Sequence, residues 1–380
     1  MRKIFLFFIP LLFIFLYSCS KPQNSEKQNE SELGNSTHRQ INLKGTELLD
    51  PQFKVKKYVV LEVIPESYFA DIDKLIIHDS TIYVMDAFVK KKVFAFDIEG
   101  NFIRAYGAIG DAPGEYQKLT DFEVDENGDV QILDRQQQKI HIYNKSGNFK
   151  ESKSTEFRAA AFKLLEDGYL FSLVPSSWEA SPKTKLIKTD FEFNVLQKFF
   201  NYPDQFKDLK GDFNILNEAG EEILYSKPVS DSVFLFNSNG ELSQSLSIDF
   251  GNQSVPEELK NDYSILIAKQ SNADFLYFSQ PPILFKNILL GHIYEGGRKG
   301  ILLIDIENQK SKRKLFKPNV LDHSLMEFPV YNWNDSLLLS YVDIDILEND
   351  VNQEQFPEEF QNYIQEHNGL GLVFSSYGAE

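Results

Sequence analysis

Fifty-six Asp and Glu, 39 Lys and Arg, six His and one Cys are the groups of this 380-residue chain that could do chemistry. Their spacing excludes several reactions. The histidines (His38, His78, His141, His292, His323 and His367) contain no H-E-x-x-H pair or similar ligand spacing, so a helical two-histidine metal site is not encoded. No G-x-S-x-G elbow and no phosphate loop is present. One cysteine leaves neither a disulfide framework nor a thiolate cluster. Carboxylates are so numerous that an acid/base pair could be drawn anywhere, which makes any choice uninformative. We expect no catalytic residue, no metal ligand and no cofactor. The charged groups also bear on partners: a net charge of −17 leaves no basic surplus to replace phosphate counterions, so nucleic acid is excluded.

The elements that must position these groups are short strands. Val93–Ile103 (VFAFDIEGNFI), Ile140–Lys150 (IHIYNKSGNFK) and Val233–Ser243 (VFLFNSNGELS) each read as an alternating strand, an Asp/Asn/Ser/Gly turn and a second strand. Leu186–Val195 is a degenerate copy and Ile301–Gln309 a fifth. Upstream of the first two hairpins lie further strand pairs, Leu75–Ile77 with Ile82–Asp86, and Phe122–Val124 with Val130–Asp134. A period in the forties with four strands per unit is the signature of a β-propeller. Trp333–Val342 supplies a sixth unit. The chain therefore reads as all-β, a six-bladed propeller of four-stranded antiparallel blades over residues 46–380.

Two lone strands complete that reading. Val55–Val63 near the start and Gly369–Ser375 near the end would pair in one blade and close the ring, which removes its open edge. Pro256–Lys269 and Glu354–His367 have helical spacing and read as two short inserts. Asp86 and Asp134 recur in register at strand ends, the behaviour of a carboxylate capping the following turn. The turns at Asp79-Ser80-Thr81, Asp231-Ser232-Val233 and Asp335-Ser336-Leu337 match a periplasmic O-glycosylation pattern, for which turn chemistry is the simpler account. Gly107, Gly110 and Gly114 would permit positive φ in the crossing that ends in Pro113-Gly114-Glu115-Tyr116, where Glu115 and Tyr116 either lie on a ligand face or, the simpler account, staple neighbouring blades. The strand nearest the axis begins each blade, so its leading residues face the channel mouth. Asp71, Asp121 and Arg158 are the binding residues this logic selects, able to engage a polar ligand through carboxylate and guanidinium groups.

The first nineteen residues carry an address. Arg2 and Lys3 precede the apolar run Ile4–Tyr17, which as a helix would measure about 21 Å, short of a bilayer core. It reads as a signal peptide over residues 1–18. Leu16-Tyr17-Ser18-Cys19 resembles a lipobox, which implies acylation of Cys19 and a membrane partner through its acyl chains. Ser20, not Asp, follows, so the outer membrane is the expected destination. Residues 19–45 are almost wholly polar and read as an acylated flexible tether spanning on the order of 28 Å.

The strand Tyr58-Val59-Val60-Leu61-Glu62, the blade segment ending at Asp86, and Gly107–Tyr116 (GAIGDAPGEY) together resemble the six-bladed β-propeller lipoproteins of Gram-negative bacteria, relatives of NHL-repeat propellers. That resemblance implies fold and lipoprotein class and carries no catalytic residue. By analogy with the class, we expect a binding or scaffold module in a cell-envelope complex, with an envelope protein or glycan as partner. The alternative is a lactonase- or lyase-like propeller with a divalent cation in its central channel.

Overall fold

A computed structural model describes residues 36–43, 47–48, 53–174, 184–202, 215–260, 274–315, 331–333, 337–349 and 356–377. Each hairpin read from the sequence forms the outer half of a blade. Blade one is Lys74–His78, Thr81–Asp86, Lys92–Asp97 and Phe102–Tyr106, from the axis outward. Blade two is Leu119–Val124, Val130–Asp134, Lys139–Tyr143 and Phe149–Ser154. Blade three is Ala159–Leu165, Gly168–Leu173, Thr184–Thr189 and Val195–Asn201. Blade four is Leu216–Ala219, Glu222–Tyr225, Ser232–Phe236 and Leu242–Asp249. The turns recur because an Asp or Asn closes each of them: Asp97, Asn144, Asp190 and Asn237 each accept two backbone N–H groups of their own turn.

Blade five departs from the pattern. Its inner strand is split into Leu276–Phe278 and Ile283–Phe285, both paired with Ile288–Glu295. Pro281 and Pro282 lie between the halves and have no N–H to give the ladder. Arg298–Asp305 and Lys310–Leu315 complete the blade. Blade six closes the ring: Tyr331–Asn332, Leu338–Val342 and Gly371–Tyr377 are followed outward by Phe53–Val60, antiparallel to Gly371–Tyr377. The predicted pairing of the two lone strands is therefore observed. The core lies in the seams between blades, where side chains such as Phe94, Phe96, Phe122, Phe162 and Phe171 are buried.

Both helical inserts contain helix among the described residues. Helix α1 covers Glu257–Lys260, and residues 261–273 of that insert lie outside the described residues. Helix α2, Ile344–Asn349, is an element the sequence reading missed. Helix α3, Glu358–His367, buries Phe360 and Ile364, and the Tyr363 hydroxyl accepts the Val63 N–H at 2.9 Å. Asp335 and Ser336, like His323, also lie outside the described residues.

The end of the expected tether is structured. Thr37–Asn42 adds a fifth strand to blade four, parallel to Leu242–Asp249. Glu47–Leu48 then pairs in parallel with the outer strand of blade five. Ile41 is fully buried in the seam between these blades, the Arg39 guanidinium donates to the Ile306 carbonyl at 3.1 Å, and His38 Nδ1 lies 3.0 Å from Ser245 Oγ. One buried Ile in an otherwise polar stretch, with backbone pairing to an existing edge, suffices to hold it. This strap, not a free linker, delivers the chain to the propeller. Residues 1–35, with the expected signal peptide and Cys19, lie outside the described residues.

Candidate functional site

The innermost strands of blades one to four carry charges on their channel-facing side. Lys74 Nζ lies 2.7 Å from Asp121 Oδ1 and 2.7 Å from Glu123 Oε1. Lys163 Nζ lies 3.0 Å from Glu123 Oε1 and 3.1 Å from Glu218 Oε1. Lys74, Asp121, Glu123 and Lys163 are buried, while the Glu218 side chain is 51% exposed. The order Lys, Asp/Glu, Lys, Glu around four successive blades is an alternating belt. Strand register explains it. Asp121 and Glu123 are two apart, so both project to one side of their strand while Phe122 packs on the other.

The belt's electrostatics follow from burial and pairing. Desolvation pushes the Glu123 carboxyl up, against the pull of Lys163 and Lys74. Desolvation works to lower Lys163, but the Glu123 and Glu218 carboxylates prevail and hold its ammonium charged. Glu218 is lowered, chiefly by Lys163. Both oxygens of Asp121 are engaged: Oδ1 also accepts the Phe122 N–H at 2.9 Å and Oδ2 the Phe162 N–H at 2.8 Å. It ties blades one, two and three together.

A cleft of about 400 Å³ opens directly above this belt, between the same three blades. Its wall includes Asp73, Lys74 and Asp121, and its lip is formed by Phe88 and Lys91 from the loop after Thr81–Asp86 and by Gln136 from the equivalent loop of blade two. The Asp86 carboxylate shapes that lip by accepting the N–H groups of Ala70 (2.9 Å), Val89 (2.8 Å) and Lys90 (3.2 Å). Asp134 repeats the device with Gln117 (2.6 Å), Gln136 (2.8 Å) and Gln137 (3.0 Å). Both Asp side chains thus cap turns, as their register predicted. Asp73 accepts the Ala87 N–H at 2.7 Å, and burial raises its carboxyl. Lys90 Nζ sits 4.7 Å from the centre of the Tyr68 ring, beside the cleft.

Of the three binding residues selected from sequence, the structure places Asp121 on the cleft wall, already engaged by Lys74. Asp71 and Arg158 are exposed and lie outside the lining residues; Asp71 Oδ1 accepts the Ile72 N–H at 2.7 Å. Tyr116 is fully buried, its hydroxyl donating to the Lys91 carbonyl at 2.7 Å, and Tyr143 donates to the Gly114 carbonyl. The crossing loop therefore staples blades one and two. Gly107 and Gly114 have positive φ, +69° and +83°. Gly110 does not, which corrects the expectation for it; the space beside its Cα is taken by the end of the Glu115 side chain.

His141 is buried in blade two, with Nδ1 2.8 Å from Ser152 Oγ. Among the described residues no three His, Cys, Asp or Glu side chains converge as metal ligands, and no helix is long and apolar enough to cross a membrane.

Solved structures share the fold. A crystal structure of a Bacteroides fragilis protein assigned as exported superposes with a TM-score of 0.69 at 16% identity, covering 90% of this chain and 100% of that one. A member of the DUF4221 family from Bacteroides vulgatus gives 0.54 at 10% identity, covering 87% and 99%. A virginiamycin B lyase from Staphylococcus aureus gives only 0.41 at 9% identity, covering 70% and 76%, too distant to carry an argument. No curated protein matches in sequence. Residues 42–368, from the strap to the end of helix α3, match a domain of unknown function, DUF4934, and the chain belongs to that family.

Proposed function

We propose that this chain is a binding or scaffold propeller of the cell envelope, tethered to the outer membrane through acyl chains on Cys19 and presenting the cleft over blades one to three to an envelope protein or glycan. The lipoprotein class and the kinship to NHL-repeat propellers rest on the motifs quoted above. The observation that carries the binding reading is the cleft, walled by groups that are satisfied within the protein and lipped by groups that are not. Asp73, Asp86, Asp121 and Asp134 are all engaged by backbone N–H or lysine, so they hold shape. Phe88 and Val89, at 62% and 61% exposure, are held out in solvent at the lip. Large exposed side chains on a fixed loop beside a concavity are what recognition of a partner requires.

Topology supports the orientation. The cleft lies at the end of the propeller where inner strands begin and where the loops after the second strands sit. Thr37–Asn42 runs parallel to Leu242–Asp249, with Thr37 opposite Gln244 and Asn42 opposite Asp249. Leu242–Asp249 climbs toward the cleft end, so the chain reaches the strap from the opposite end. The tether thus joins the propeller at the end opposite the cleft.

Mild crosslinking of native envelopes, followed by capture and mass spectrometry, tests this reading. The lipidated chain should fractionate with membranes and carry a stoichiometric partner, and Cys19→Ala should release it from the membrane. Recovery of the wild-type chain alone, or membrane retention of the variant, would contradict it.

A further inference from the structure

Positive charge is concentrated on one rim of the ring. Against a net charge of −17 for the chain, the outer hairpin of blade five, Arg298–Leu315, holds six cationic side chains (Arg298, Lys299, Lys310, Lys312, Arg313 and Lys314) and two carboxylates, Asp305 and Glu307. Strand register sorts them. Lys310, Lys312 and Lys314 stand opposite Asp305, Leu303 and Ile301. With Lys299 they form one row, on the side of the sheet where Ile301 and Leu303 cluster with Phe53 and Tyr377 of blade six. Lys54 and Lys56 are exposed on the outer strand of blade six, Phe53–Val60, which contains no acid. The carboxylates of blade five are committed elsewhere: Asp305 accepts the Glu307 and Asn308 N–H groups at 3.1 and 2.9 Å and Asn287 Nδ2 at 3.0 Å, and Glu295 holds Arg313 at 2.6 Å. Glu47 of the strap is opposite Lys312 in register. Lys299 and Lys310 are exposed and, among the described residues, form no ion pair.

The same rim receives the N-terminal segment. Thr37–Asn42 lies on the outer edge of blade four, and Glu47–Leu48 on the outer edge of blade five, against Lys310–Leu315 itself. Sixteen residues separate Cys19 from Ser36, and a coil of that length spans about 22 Å. An anchor at Cys19 therefore keeps the rim of blades four and five close to the bilayer. In a ring of six, blade five stands opposite blade two, so a surface against this rim leaves the cleft over blades one to three open. A row of lysines along the outer rim fits an extended anionic surface, where each adds to the attraction.

Resting on the acylation of Cys19 proposed above, we infer that the lysine row of blade five and the adjoining outer strand of blade six lie against anionic lipid headgroups. Such a surface repels the rest of this acidic chain, so the contact fixes one orientation. Flotation with lipid vesicles tests it without the acyl chains, using residues 20–380, which hold every described strand of the closed ring. At 0.1 M salt the screening length is about 10 Å, so the row counts and distant acids do not. The chain should float with vesicles of mixed phosphatidylglycerol and phosphatidylcholine, stay behind with phosphatidylcholine alone, and come off at 1 M salt. Lys299→Gln with Lys310→Gln, both at exposed positions, should weaken binding about tenfold or more with unchanged melting temperature. Lys91→Gln at the cleft should leave it unchanged. Equal binding to both vesicles, binding to neither, or an equal loss with Lys91→Gln would overturn the inference. Binding to polyglutamate with none to either vesicle would assign the row to an acidic protein and overturn it too. An acyl anchor survives a salt wash and this contact does not, so release of the Cys19→Ala variant after such a wash judges the anchor separately.

Discussion

Lys163 of blade three stands 3.0 Å from Glu123 of blade two, both side chains almost wholly withdrawn from solvent. Lys163 also reaches Glu218 of blade four, and Glu123 also accepts Lys74 of blade one. A cation between two acids, and an acid between two cations, link four separate sheets in series. The arrangement costs desolvation, and its strength lies in leaving no charge alone.

Removing one member should therefore be worse than removing the pair. Lys163→Met leaves Glu123 with Lys74 as its only cation and Glu218 with none. We expect a loss of about 3–5 kcal/mol, read as a lower urea midpoint at unchanged slope. Lys163→Met with Glu123→Leu should recover more than half of that loss. A double variant no better than the single one would contradict the pairing.

The caps tie stability to the shape of the lip. Asp86→Ala strands three backbone N–H groups near Ala70, Val89 and Lys90, and we expect a loss of about 2–4 kcal/mol. Asp134→Ala should behave alike. Chemical denaturation measures both losses. The Asp86 variant should also weaken ligand binding at the cleft through the displaced lip, even where the fold survives.

The strap contributes to the ring from outside. Ile41→Ala should cost about 2–4 kcal/mol as a buried large-to-small change. Deleting residues before Lys44 should lower the melting temperature while leaving the circular dichroism of a β-protein. A deletion variant as stable as the full chain would show that the strap is not structural.

Acid should destabilise the fold through buried imidazoles. Burial lowers His292 from about 6.5 to about 4 and lowers His141 as well. A folded-state pKa below the unfolded one means that the unfolded chain binds protons first. Stability is then full above pH 6.5 and declines as pH falls toward 4, by at most about 3 kcal/mol for His292. Glu218, lowered by Lys163, adds to the loss below its unfolded pKa, as its carboxylate is protonated. His292→Asn should flatten the slope of stability between pH 6.5 and 4; an unchanged slope would refute the assignment.

How much of this was legible in the sequence depends on whether the cause was local. Turn carboxylates such as Asp97 and Asp190 act within four residues, so the hairpins and their period could be read directly. Ring closure by Phe53–Val60 and Gly371–Tyr377 could be inferred because an unpaired strand at each end has one economical solution. The belt could not. Lys74, Glu123, Lys163 and Glu218 belong to four different blades, and each alone reads as a polar residue on a half-solvated strand. The available signal was Asp121 and Glu123 flanking Phe122 in an innermost strand, where two charges on one side demand partners. The strap was hidden for a similar reason, since Thr37–Asn42 has a single apolar residue and takes its order from the edge it joins. Helix α2 is too short for periodicity to register.

The central claim is that the cleft end of blades one to three meets the partner. A photoreactive phenylalanine analogue placed at Phe88, at the lip, or at Leu196, on the outer strand of blade three and 56% exposed, tests it most directly in native envelopes. We predict a discrete, light-dependent adduct from position 88 and none from position 196. An adduct from position 196 with none from position 88 would contradict the account.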